Sequence, residues 1–185
     1  MELCIFVSGI NFKNYTKMKR LLILAVALMV ALPTFAQKLT KEEKAAQAKA
    51  LNETALKAIE ENDWAIVPTS YIDGDGIDNQ LTDNAIFISY EKTAFFAQGV
   101  RVCGDSRTLV AEIKDFEKKL DKKGNLKMSF NVVGRYIQGK YQISMRNNGN
   151  VADVIFTPTS GTVRKFQGPI LPSRAAGFYK KSSPM

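Results

Sequence analysis

The 185-residue chain contains no histidine, which removes the commonest general base, proton shuttle and transition-metal ligand. Triads and zinc sites built on histidine are excluded. A serine nucleophile needs a base within reach, and no Gly-x-Ser-x-Gly elbow is present. Cys103 has no histidine to activate it, and an isolated cysteine within an apolar stretch reads as buried packing. Carboxylate pairs remain, Glu112 with Asp115 or Asp73 with Asp75. The one enzymatic alternative is therefore a carboxylate-based hydrolase, and nothing in the spacing places either pair in a shared cleft. The densest donor set is the loop Asp73-Gly74-Asp75-Gly76-Ile77-Asp78-Asn79, followed by Asp83. Asp73, Asp75, Asp78 and Asp83 offer hard oxygen ligands of the kind Ca²⁺ prefers, although the spacing departs from an EF-hand: Ile77, Asp78 and Asn84 occupy its fifth, sixth and twelfth positions. The competing reading is a solvated turn, since Asp, Gly and Asn are the usual turn residues. No other cofactor is implied.

These residues must be held by a sheet. In Leu126, Met128, Phe130 and Val132 apolar side chains alternate with Lys127, Ser129 and Asn131, the period of a strand with one buried face. Tyr141, Ile143 and Met145 repeat the pattern, and Asn147-Asn148-Gly149-Asn150 supplies a tight hairpin before Val151 to Thr157. Trp64 to Val67 reads as a first strand closed by Pro68. Asn84 to Tyr90 and Thr93 to Cys103 read as a hairpin joined at Glu91-Lys92, and Thr162 to Gln167 as a last strand before Gly168-Pro169. The fold class is α+β: an N-terminal helix and a meandering antiparallel sheet of about seven or eight strands, able to close into a lipocalin-like barrel.

At the front, Lys17, Lys19 and Arg20 precede an apolar run from Leu21 to Leu32, then Pro33-Thr34-Phe35-Ala36. A basic start, a short apolar core and a small-x-small end predict a secretory signal cleaved after Ala36. The run is shorter than the roughly 20 residues that span a bilayer, so no transmembrane segment is expected in the mature chain. Met18 stands where such a signal begins, so residues 1–17 read as an over-long gene start. The mature chain keeps 22 basic against 17 acidic residues, a net charge of +5. It lacks the basic stripe interleaved with aromatics that nucleic acid requires. The expected location is the periplasm, or an association with the outer membrane, of a Gram-negative bacterium.

Residues 37–61 form the predicted helix. Thr40 and Glu43 have capping-box spacing, and Leu51, Ala55 and Ile59 make a narrow apolar stripe near its end. Residues 62–171 form the β domain, and 172–185 a loosely held tail. Residues 106–121 are ambiguous. Leu109, Ile113, Phe116 and Leu120 fall at i, i+4, i+7 and i+11, which predicts a helix, whereas their alternation as a strand is poor.

The order of features resembles the exported Bacteroidetes family of domain of unknown function 4251. The resemblance rests on Thr40-Lys41-Glu42-Glu43-Lys44, Asn62-Asp63-Trp64, Asn84-Ala85-Ile86, Gln98, Lys122-Lys123-Gly124-Asn125, Gly134, Asn150-Val151-Ala152, Gly168, Pro172 and Tyr179-Lys180. It covers nearly all of the mature chain. The acidic loop lies outside the pattern, and Lys181 stands where the tail usually carries Gly. The resemblance carries over no catalytic or binding residue, but it implies that residues 108–120 are a strand.

Together these readings describe a non-catalytic binding or structural module that meets an unidentified protein or envelope component. The alternative is a carrier of a small apolar ligand in a barrel cavity, with Phe95, Phe96, Phe130, Tyr136 and Tyr141 as candidate lining. An apolar cavity of a few hundred Å³ inside a closed barrel would favour the carrier. A filled core with apolar surface outside would favour the module.

Overall fold

The computed structural model describes residues 40–72, 76, 78–80 and 83–181. The expected signal, residues 1–36, lies outside them. Helix α1 (Lys41–Glu60) opens with the predicted capping box: the Thr40 hydroxyl accepts from the Glu43 N–H, and the Glu43 carboxylate accepts from the Thr40 N–H. Its first half is exposed, as the polar sequence requires. The apolar stripe is displaced by one residue: Leu51 is exposed, while Asn52 is buried with Ala55, Ala58 and Ile59. The reason is a polar anchor, since Asn52 Nδ2 donates to the carbonyls of Arg146 (3.1 Å) and Gly149 (2.8 Å) in a hairpin turn.

Ten strands follow among the described residues: β1 (Asp63–Ile66), β2 (Ser70–Ile72), β3 (Asp78–Gln80), β4 (Phe87–Glu91), β5 (Ala94–Gly99), β6 (Asp105–Leu120), β7 (Leu126–Val133), β8 (Gln138–Met145), β9 (Val151–Pro158) and β10 (Arg164–Pro172). All pair antiparallel. Eight close a barrel in the order β1, β4, β5, β6, β7, β8, β9, β10 and back to β1. The remaining two, β2 and β3, form a short flap on β10 where the sequence suggested only loop. The strands are strongly staggered. From Ile66 the register leads through Ile88 and Ala97 to Leu109 on β6; taken the other way, through Ile170 and the β9, β8 and β7 hairpins, it returns to β6 beyond Leu120. Large stagger widens a barrel, so bulky side chains are needed to fill it.

Strand β10 runs through Gly168-Pro169, where the sequence suggested a stop. Ile170 N–H donates to the β9 side at Asn150 O (2.8 Å), so the backbone N of position 169 faces the other neighbouring strand. There the pairing passes from β2 to β1 and no donor is needed, which is the tolerated place for proline. A side chain at 168 would collide with the Val67 carbonyl and Pro68 as the chain crosses, hence glycine.

Residues 105–120 are strand, as the family resemblance implied and the periodicity did not. Asp115, at φ 52°, sits in a β-bulge between Lys114 and Glu117. The bulge inserts one residue and reverses the parity. Leu109, Ala111 and Ile113 share the inner side before it, and Phe116 and Leu120 after it. That flip makes a bulged strand mimic helical spacing.

The apolar run at 93–103 also divides. Strand β5 ends at Gly99, and Val100–Cys103 form one helical turn, α2, with Val102 and Cys103 packed into the core. The tail is docked as far as Lys181. Phe178 stacks on Phe87 with centroids 4.1 Å apart, and Lys180 Nζ reaches Glu91 (2.8 Å) and the Phe96 ring (3.4 Å).

Candidate functional site

The barrel interior is built from alternate residues of its strands. Trp64, Phe95, Phe130, Tyr141, Phe156 and Phe166 are each at most 1% exposed. Phe130 lies 6.1 Å from Trp64, 5.7 Å from Phe95 and 5.6 Å from Tyr141 by ring centroids, and Tyr141 stacks on Phe156 at 4.3 Å. Of the five candidate lining residues, Phe95, Phe130 and Tyr141 therefore meet in the interior, packed on one another. Phe96 faces outward beneath the tail. Tyr136 is exposed in the β7–β8 connection, flanked by the guanidinium groups of Arg107 (5.2 Å) and Arg135 (5.1 Å).

Two polar atoms in this interior have no hydrogen-bond partner, Tyr141 OH and Trp64 Nε1. Burial drives the Tyr141 hydroxyl well above its ordinary pKa, with a smaller contribution from Cys103. Burial likewise raises the Cys103 thiol to about 11, and its Sγ donates weakly to the carbonyls of Gly99 and Asp105, each at 3.4 Å. Such a thiol is protonated at neutral pH and inert as a nucleophile. Asp105 is shifted down, mainly by its side-chain hydrogen bonds from Arg107 (3.0 Å); Asp121 by its bonds from Asn125; and Glu43 by the helix cap. Each shift has a local structural cause and moves the group away from neutrality.

Of the calcium candidates, Asp73 and Asp75 lie outside the described residues, and of Asp78 only the backbone, on β3, is described. Asp83 is exposed, and its Oδ1 accepts from the Ala85 N–H (2.8 Å) in a local turn. Glu112 and Asp115 are both exposed on β6, and Asp115 accepts from Asn131 (2.7 Å) rather than facing Glu112. Ser89-Tyr90-Glu91-Lys92 has the Ser-x-x-Lys spacing of some nucleophilic serines. Ser89 lies on a strand, where residues three apart face opposite sides, and its hydroxyl donates to Glu91 (2.8 Å).

Surface clefts lie outside the barrel. One of about 590 Å³ runs over β6 to β9 beside Lys118, Lys127, Gln142 and Asp153, and one of about 570 Å³ lies between α1 and the β8–β9 hairpin. A third, of about 460 Å³, is lined by Tyr71, Val100, Arg101, Val163, Arg164 and Lys165. These come from three separated stretches of chain, so only the folded topology brings them together.

The family-pattern residues also acquire positions. Gln98 is fully buried on the outer side of β5. It donates to Ala85 O (2.5 Å) and Tyr179 O (3.2 Å) and accepts from Lys181 N–H (2.8 Å) and the Thr108 hydroxyl. Asn150 Nδ2 donates to Ile170 O (3.0 Å), and a side chain at Gly134 would strike the Val110 carbonyl. In this chain those residues form a tail clamp, a strand lock and a close backbone crossing.

The molecule is thus a closed, lipocalin-like antiparallel barrel with an N-terminal helix. Its fold is similar to the crystal structure of a DUF4251 family protein from Bacteroides eggerthii DSM 20697, with a TM-score of 0.61 and 21% sequence identity, over 70% of this chain and 91% of that one. The resemblance suggested by the turn and strand-edge residues is thereby shown for the fold. Neither family models nor curated protein sequences give a match to the chain. Among the described residues no helix is long and apolar enough to cross a membrane.

Proposed function

We propose that this chain is an exported, periplasmic, non-catalytic binding module that engages its ligand or partner on the outside of the barrel. The observation that carries the reading is the filled interior. Six large rings are buried where a carrier would leave space for its cargo, and five of them, Trp64, Phe95, Phe130, Tyr141 and Phe156, form one connected set of tilted, edge-on and stacked ring pairs. The carrier alternative needs an apolar cavity of a few hundred Å³, and the clefts above all open on the exterior. The absence of histidine and the movement of the shifted groups away from neutrality support a role without turnover. Export is supported by the basic, apolar and small-x-small sequence of residues 17–36.

The test is titration of the mature protein with N-phenyl-1-naphthylamine, a neutral apolar fluorophore. No saturable enhancement is expected. Saturable one-to-one binding would restore the carrier. Cell fractionation with N-terminal sequencing is expected to find the protein in the envelope beginning at Gln37, and a cytoplasmic protein retaining residues 1–36 would sink the export claim.

A further inference from the structure

The cleft at the α2 end of the barrel combines three features. The first is a fixed arginine. Arg164 Nε donates to Val100 O (3.2 Å) and Nη1 to Thr162 O (2.9 Å). Both acceptors are neutral carbonyls, so the guanidinium is held in place without a carboxylate partner among the described residues, and the ordering cost of a flexible side chain is met before any ligand arrives. The second is a companion cation: Arg101 Cζ lies 4.4 Å from the centroid of the Tyr71 ring, on the same cleft, with Lys165 alongside. Among the described residues no carboxylate forms an ion pair with Arg101, Arg164 or Lys165. The third is apolar surface. Val100 is 59% exposed, Val163 46% and Ile72 38%, and all three line this one cleft. Large aliphatic side chains gathered beside paired cations form an amphipathic surface, and its complement is an amphipathic anion.

We propose that this cleft binds an oxyanion-headed amphiphile, a small molecule with one phosphate or carboxylate joined to an apolar chain. The head sits between Arg101 and Arg164, where a guanidinium fork matches two oxygens at once, and the chain lies along Val100, Val163 and Ile72. At about 460 Å³ the cleft is of a size that small-molecule sites occupy. The inference rests on the reading above, that binding uses the exterior of the barrel, and gives that reading a location and a ligand class.

The test is calorimetry on the mature protein with four probes: decyl phosphate, decanoate, inorganic phosphate and decanol. Decyl phosphate or decanoate should bind one to one, and whichever is tighter identifies the head. Inorganic phosphate should bind at least about tenfold more weakly, having no chain to bury. The R101Q/R164Q pair should lose about tenfold or more, and R146Q/R174Q, which removes the same charge elsewhere, should lose nothing. Among the described residues Arg101 makes no side-chain hydrogen bond or ion pair and lies over the Tyr71 ring, so R101Q alone tests the idea if the double variant fails to fold. No binding of either decyl anion at millimolar concentration would overturn the cleft, as would equal weakening by R146Q/R174Q. Decanol binding that survives the cleft substitutions would instead point to the interior and sink the exterior-binding reading itself.

Discussion

Phe130→Ala asks whether the interior is as full as its rings imply. Phe130 is 1% exposed on β7, and four aromatic neighbours face it, Trp64, Phe95, Tyr141 and Phe116, with centroids between 5.6 and 6.1 Å. Truncating a buried Phe costs about 3–5 kcal/mol, through lost transfer energy and an unfilled cavity. Here the neighbours stand on strands of a closed barrel and cannot collapse inward, so the loss belongs at the upper end, about 4–5 kcal/mol. A domain of ordinary stability, about 5–15 kcal/mol, then remains folded but marginal. Urea unfolding of both proteins with an unchanged m value measures the loss. The same variant should gain what the native protein lacks: toluene should bind F130A and raise its midpoint, because a dry apolar cavity accepts an apolar guest. A loss below about 1 kcal/mol would refute the claim that Phe130 fills the interior. Equal toluene stabilisation of the unsubstituted protein would refute it as well, by showing an existing cavity.

Gln98→Ala removes the clamp that joins the turn before β4, β6 and the tail. Ala85 O and the Thr108 hydroxyl lose a buried partner while Tyr179 and Lys181 turn to water, so the expected cost is about 2–3 kcal/mol, with faster hydrogen exchange at the Lys181 amide and cleavage near Lys180. Unchanged protection of that amide would show that the stacked Phe178 holds the tail instead. For Cys103, the thiol ionises near 9.0 when unfolded and about 11 when folded. Between those values the unfolded chain binds fewer protons, so stability is full below pH 9 and falls, by up to about 2–3 kcal/mol, as pH rises to 11. Urea midpoints against pH should show this fall, reduced in Cys103→Ala, and a profile identical in the two proteins would count against a buried neutral thiol.

How much was legible depends on whether local pattern and tertiary role agreed. In β7, β8 and β9 one face is buried and one wet, so alternation in the sequence maps directly onto the barrel wall. The helix cap is purely local, and Thr40 with Glu43 gave it away. The misses share a cause, a non-local partner that overrides a local signal. Asn52 displaces Leu51 because two hairpin carbonyls, far along the chain, need a donor. Pro169 does not end β10 because the neighbouring strand changes at that point. The bulge at Asp115 makes a strand count like a helix. Phe96 and Tyr136 satisfied the aromatic criterion for lining, but Phe96 lies on the outer side of the wall and Tyr136 in an exposed connection, since composition carries no information about which face closes inward.

The same distinction explains why the family pattern describes a fold more readily than an activity. Gln98, Gly134, Asn150 and Gly168 each meet a requirement that closing this barrel creates: a tail to fasten, a crossing too close for a side chain, a strand end to lock. The stagger that closes eight strands also fixes the interior width, and six large rings are buried within it. On the reading proposed above, recognition falls to residues on the outside of the barrel that the strand pairing does not require. Arg101, Val100 and Val163 are exposed and Arg164 is half-buried beside them: removing their side chains would leave the strand pairing intact while taking from this cleft the cations and aliphatic surface on which the proposed site depends.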